Sequence, residues 1–242
     1  MSLDLTLEHL TVLRGGRTAV AEVSYDHAGP GWIGLVGANG SGKTSLLRAL
    51  AGRLPIHSGR VVLGAADVST DRAKRAGLIG FAVEGPMLPG DLTPREVFAI
   101  SAEANDAVDD PRLAGLRAVL NLESFIDRKC GSLSAGMAQR VALLAALLDL
   151  PPAVILDEPF NWLDPITALD VKRALGDLVV DQGLTLITAL HDVSTLMAYC
   201  SRGILMSAGR IALELEEAEL RAGLADPVAF EAAMVERLRA AA

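Results

Sequence analysis

Gly37-Ala38-Asn39-Gly40-Ser41-Gly42-Lys43-Thr44 follows the apolar run Trp32-Ile33-Gly34-Leu35-Val36 and leads into Ser45-Leu46-Leu47-Arg48-Ala49-Leu50-Ala51-Gly52. A short apolar run bounded by glycine reads as a buried strand, and the leucine spacing after Thr44 reads as a helix closed by Gly52. The octapeptide therefore lies on a strand-to-helix turn, the setting in which this pattern forms a phosphate-binding loop. Glycines let backbone N–H groups curl around an anion, and the helix start adds unpaired donors and partial positive charge. Lys43 can reach terminal phosphates as a point charge, and the Thr44 hydroxyl can take a place on Mg²⁺. A plain glycine-rich turn with a surface lysine would not require all of these positions in this setting. The pattern implies binding of a nucleoside triphosphate by Asn39, Gly40, Ser41, Gly42, Lys43, Thr44 and Ser45.

Working outward, residues 3–12 alternate loosely (Leu3, Leu5, Leu7) and suggest an edge strand of a small sheet, with an antiparallel strand over 18–26. Gly29-Pro30-Gly31 signals a turn into the strand before the phosphate loop. Further strands are expected at 60–64 and 78–83. From Thr93 to about Lys129 the pattern turns helical. Thr93-Pro94-Arg95-Glu96 supplies an N-cap, a proline at the first helical position and an acid at the third. Asp109-Asp110-Pro111 starts a second helix. Ser134 reads as the cap of another helix, with Met137, Val141, Leu144 and Leu148 on one stripe and Pro151-Pro152 as its stop. Residues 153–156 form a core strand running into Asp157-Glu158-Pro159. Pro165 opens a helix, residues 184–190 form a strand closed by His191-Asp192, short strands flank Gly209, and a last helix spans 227–239.

Composition narrows the classes. The chain has 242 residues, and 51% of them are apolar, enough for a full core in one large α/β domain. No apolar run reaches the roughly eighteen to twenty residues needed to span a bilayer, and Met1-Ser2-Leu3-Asp4 lacks the basic start and apolar stretch of a signal peptide. A net charge of −8 with 4% aromatics argues against a general nucleic-acid binder and a base-stacking platform. Cys130 and Cys200 have no ligand-like spacing and fit ordinary packing in a reducing compartment.

The second half is more specific. Leu133-Ser134-Ala135-Gly136-Met137, Val154-Ile155-Leu156-Asp157-Glu158-Pro159, Leu163-Asp164 and His191-Asp192 arrive in the order and approximate spacing of an ATP-binding cassette. From about Leu5 to Arg210 the chain resembles the nucleotide-binding subunit of an ABC transporter. That resemblance implies a P-loop NTPase with a mainly parallel core sheet, an N-terminal antiparallel β subdomain and an inserted helical subdomain at about 85–150, all in a single domain over 1–242.

It also implies roles. Asp157 resembles the acid that holds Mg²⁺, with Thr44, and Glu158 looks like the general base toward the attacking water. His191 looks like the switch histidine at the γ-phosphate of ATP. Ser134 and Gly136 resemble the signature that caps ATP bound to the opposite subunit, which implies a head-to-tail homodimer or a paired cassette. An integral-membrane permease is the implied second partner, with no nucleic acid, and the implied place is cytoplasmic, on the inner face of the cell membrane.

Several positions depart from the family pattern. Ala135 and Met137 stand where Gly and Gln are usual, and Asn161-Trp162 is bulky. Glu84 replaces a glutamine that faces the metal, so it is expected there as a carboxylate. Arg14 lies where an aromatic commonly stacks on adenine, and a guanidinium plane can also stack on a base. The short tail after Arg210, together with the compact start over residues 39–48, leans the reading slightly toward a simple export cassette. Two alternatives stay open: an ATP-gated regulatory subunit with little hydrolysis, and a soluble ABC-type ATPase outside transport.

Overall fold

The computed structural model describes residues 3–104 and 106–240; residues 1–2, 105 and 241–242 of the expected domain lie outside the described residues. Two sheets share the fold. The first is antiparallel and pairs β1 (Leu5–Arg14) with β2 (Arg17–His27) on one side and β4 (Ser58–Leu63) on the other, with β5 (Ala66–Asp67) beyond. The second contains β3 (Gly31–Val36), β6 (Ile79–Ala82), β7 (Ala153–Asp157), β8 (Thr185–Ala189), β9 (Arg202–Ser207) and β10 (Arg210–Glu216). Its order is β10-β9-β3-β8-β7-β6, parallel from β9 to β6, with β10 antiparallel at one edge.

The parallel strands are near-continuous apolar runs because both their faces are covered. Along β7, Val154 and Leu156 face one core while Ala153 and Ile155 face the other. Trp32 and Ile33 of β3 part in the same way, as do Leu186 and Ile187 of β8. This period of two makes the parallel sheet a partition. The antiparallel sheet and α1 (Lys43–Leu50) cover one face, and the long helices cover the other.

Between β6 and β7 lie α3 (Pro94–Ser101), α4 (Ala114–Leu120) and α5 (Ala135–Leu147). Thr93 and Glu96 form the expected capping box on α3, and the Ser134 hydroxyl accepts from the Met137 N–H to cap α5. α6 (Pro165–Gln182) begins at Asp164, whose carboxylate accepts from the N–H groups of Ile166 and Thr167. Along the rest of the chain lie α2 (Arg72–Leu78), α7 (Val193–Tyr199), α8 (Glu217–Gly223) and α9 (Pro227–Ala240).

Three expectations need correction. β1 is interior to its sheet rather than an edge, because β4 returns to pair with its free side. α5 ends at Leu147, before the proline pair, because Asp149 and Leu150 take positive φ and turn the chain. The stretch 93–129 is broken into short helices and 3₁₀ turns, with Asn121 in a left-handed conformation closing α4.

Candidate nucleotide site

The strand order brings the chemistry together. β8 lies between β3 and β7, with Ala189 registered against Leu35 on one side and Asp157 on the other. The loop after β3, the acid pair at the end of β7 and the histidine after β8 therefore emerge side by side at the carboxyl edge of the sheet. Open α/β sheets bind ligands in this crevice.

The phosphate loop is held tightly. Gly42 has φ +105°, and a β-carbon there would lie 2.4 Å from the Ala19 carbonyl oxygen. Gly42 is also the N-cap of α1, with no side chain capping that helix and no acid in its first turn. The first-turn donors and the positive end of the helix dipole thus remain for an anion. Lys43 is buried, and its Nζ donates to the carbonyls of Gly37 (2.7 Å) and Ala38 (3.3 Å). The buried Ser41 Oγ has no hydrogen-bond partner among the described residues.

A cavity of about 450 Å³ opens over this loop. It is lined by Asn39, Gly40, Ser41, Gly42, Lys43, Thr44 and Ser45, by Arg14, Arg17, Thr18 and Ala19 from the β1–β2 hairpin, and by Glu158. Cationic groups, exposed helix donors and an orphaned hydroxyl fit a polyphosphate. Arg14, singled out in the sequence, lies in this lining; Arg17, Thr18 and Ala19 were not singled out. Charged residues at the Gly15-Gly16 turn were the available signal, but only the packing of that hairpin over the loop gives them a place.

The Thr44 hydroxyl donates to Asp157 Oδ1 across 3.3 Å. Burial pushes the Asp157 carboxyl above its ordinary value; the Thr44 hydrogen bond opposes this, and the charges of Glu158 and Glu84 add to it. A buried carboxylate beside a hydroxyl suits a hard divalent cation, which would relieve that cost, though among the described residues no three acids or histidines gather into a ready metal cluster. Glu84 shares a second cavity with Asp157, but its own carboxylate faces Arg48 at 3.9 Å. Arg48 was not anticipated from the sequence.

Glu158 has φ +52°, uncommon for a residue with a side chain. His191 Nε2 meets its Oε1 at 2.7 Å, and Asn161 Nδ2 donates to its Oε2 at 2.7 Å. Ser134 and Gly136 do not line the cavity; Gly136 lies against the Trp162 carbonyl. Gln139, on the same helix, accepts from the Gly85 N–H and ties α5 to the loop that carries Glu84.

A family model described as ABC transporter matches residues 21–161. Among curated relatives, the uncharacterized ABC transporter ATP-binding protein YdbJ of Bacillus subtilis (strain 168) is 32% identical over 87% of this chain and 68% of its own length. The thiamine import ATP-binding protein ThiQ of Jannaschia sp. (strain CCS1) is 34% identical over 93% of this chain and 98% of its own length. Among solved structures, a post-hydrolysis dimer of the ATP-binding cassette MJ0796 with ADP and Pi superposes with a TM-score of 0.78 at 23% identity, covering 88% of this chain and 98% of that one. An ATP-binding subunit of an ABC transporter superposes with a TM-score of 0.83 at 21% identity, covering 97% and 99%.

Proposed function

This chain belongs to the ABC transporter family as an ATP-binding ATPase, and from that premise we propose that it is the motor of a membrane permease, working as a head-to-tail dimer with two ATP molecules at the interface. The observation that carries the reading is the convergence of Lys43, the Thr44–Asp157 contact and the Glu158–His191 pair at the ends of three neighbouring strands.

In this reading Lys43 exchanges its two loop carbonyls for the β- and γ-phosphates, and the donors of the loop and α1 hold the rest. Thr44 and Asp157 would hold Mg²⁺, and Glu84, which here faces Arg48, would be a further oxygen donor. Mg²⁺ supplies neutralisation of the charge that builds on the phosphates. Glu158 accepts the proton of the attacking water as the new P–O bond forms and the bond to the leaving ADP oxygen breaks. His191 orients the γ-phosphate, and Arg14 lies under the base. Ser134 and Gly136 would complete the site of a second copy, which is why they stand apart from the cavity in one chain.

We read 85–150 as an inserted helical subdomain of the domain 1–242. Among the described residues, no helix is long and apolar enough to cross a membrane; in this reading the transport path belongs to a permease. Its docking surface is the groove of about 600 Å³ beside β6, lined in part by Phe81, Val83, Leu88 and Ile100, together with the exposed Met87. The cassette would then sit on the cytoplasmic face of the membrane. For direction, the compact tail does not separate export from import, since a relative matched over 98% of its length is named for thiamine import. Other relatives named for import of Fe(3+) ions and phosphonates favour uptake. The Glu84–Arg48 pair favours the second reading, a slowly hydrolysing ATP sensor.

The test is Mg-ATP turnover of the protein beside Glu158→Gln, with molar mass by light scattering. Turnover should fall by about 10²-fold or more in the mutant, which should accumulate as an ATP-bound dimer. A wild type that binds ATP without turnover, even with its permease, would support the sensor reading instead.

A further inference from the structure

The Asn161 amide lies outside the nucleotide cavity and the helix caps, yet it donates at 2.7 Å to the Glu158 carboxylate. Residues 158–161 form a turn in which the Asn161 N–H approaches the Glu158 carbonyl at 3.4 Å, which brings the two side chains together. An amide oxygen facing a carboxylate oxygen at 2.7 Å would set two acceptors against each other, so the amide NH₂ is the group presented. The turn itself is anchored. Leu163 N–H donates to the Phe160 carbonyl, Asp164 caps α6, and the Lys172 ammonium lies 5.0 Å from the Phe160 ring centre. Asn161 is exposed and does not line the cavity, whereas Glu158 does.

We propose that Asn161 is a positioning residue: its amide fixes the plane of the Glu158 carboxylate, so that the remaining lone pairs face the phosphate loop. This rests on the reading of Glu158 as the base. His191 holds the other carboxylate oxygen, but in that reading the imidazole must turn toward the γ-phosphate. Asn161 is then the tether that stays. A base left free to rotate loses orientation rather than substrate affinity, so the effect falls on kcat.

The experiment compares Asn161→Ala, Asn161→Asp and Glu158→Gln in the full chain, with kcat and KM for Mg-ATP and the thermal midpoint of each. Asn161→Ala should lower kcat by about tenfold with KM unchanged, and Asn161→Asp by about 10²-fold, since it replaces a donor with a repelling carboxylate. A merely structural turn residue gives the reverse order, because Asp is the isostere and serves turns as well as Asn. Near-normal kcat in Asn161→Asp, or a raised KM with unchanged kcat in Asn161→Ala, would overturn the assignment. Turnover retained by Glu158→Gln would instead remove the underlying reading of the base, whatever the Asn161 variants do.

Discussion

Arg75 has no exposed surface and, among the described residues, no carboxylate partner; its guanidinium donates instead to the carbonyls of Ala49, Val68 and Ser69. Burial, and then the nearby charge of Arg72, hold it below its ordinary value. It joins the end of α1 to the loop before α2, so the planar fork carries a geometric load that an ammonium cannot. Arg75→Ala should cost about 3 kcal/mol through the cavity and the lost hydrogen bonds, and Arg75→Lys should recover only part of it, measured by urea unfolding. Nothing in the local sequence Asp71-Arg72-Ala73-Lys74-Arg75 separates the buried arginine from its solvated neighbours. Asp157 and Glu158 were legible as adjacent acids after an apolar strand. The positive φ of Glu158 and its bond to Asn161 were not, because both depend on how the following turn is anchored.

The strand–loop–helix element from Gly31 to Leu50 has its geometry written in glycine. Gly40 and Gly42 both have positive φ, yet a β-carbon at Gly40 would meet nothing within 4 Å, while one at Gly42 would strike the Ala19 carbonyl. Gly40→Ala should therefore lose about 1 kcal/mol from backbone strain alone. Gly42→Ala must displace either the hairpin or the loop, and should lose at least about tenfold in ATP affinity. Titration with a fluorescent ATP analogue, beside thermal melts, separates the two. Element starts were readable at Thr93 and Ser134, where a side chain supplies the cap, and at Pro165, where the proline marks the first turn. Short helices such as α2 and α8 were not, because so few turns carry too weak a period and their stability comes from packing.

At the scale of the whole molecule the two sheets meet near His27, whose Nε2 is buried without a partner among the described residues and whose ring packs on Gly31. Burial first, and then the charge of Arg202, lower its pKa from the ordinary 6.5, against a backbone hydrogen bond at Gly29 and the charge of Asp4. With the folded value depressed, the unfolded chain binds the proton more readily. Stability is then full above pH 6.5 and falls as the pH drops toward the folded value. Between pH 7.5 and 5.5 the thermal midpoint should decline, and His27→Gln should flatten that decline. The paired carboxylates Asp67, Asp110 and Asp127, all held below their ordinary 3.8, lose their contribution only at lower pH and so do not mimic it.

The sequence by itself determined the pieces whose physics is local: a glycine loop between strand and helix, an acid pair and a histidine at strand ends, and the caps that start helices. Each depends on a few neighbouring residues, so a single stretch carries the information. Only the tertiary structure decided that β8 lies between β3 and β7, that β1 is interior, and that Arg17 joins Arg14 over the loop. It likewise decided that His191 and Asn161 grip opposite oxygens of Glu158. These follow from strand order, register and the anchoring of turns, which join segments as far apart as Thr44 and Asp157, 113 residues from each other, and strand pairing is set by which faces the shared cores can bury together.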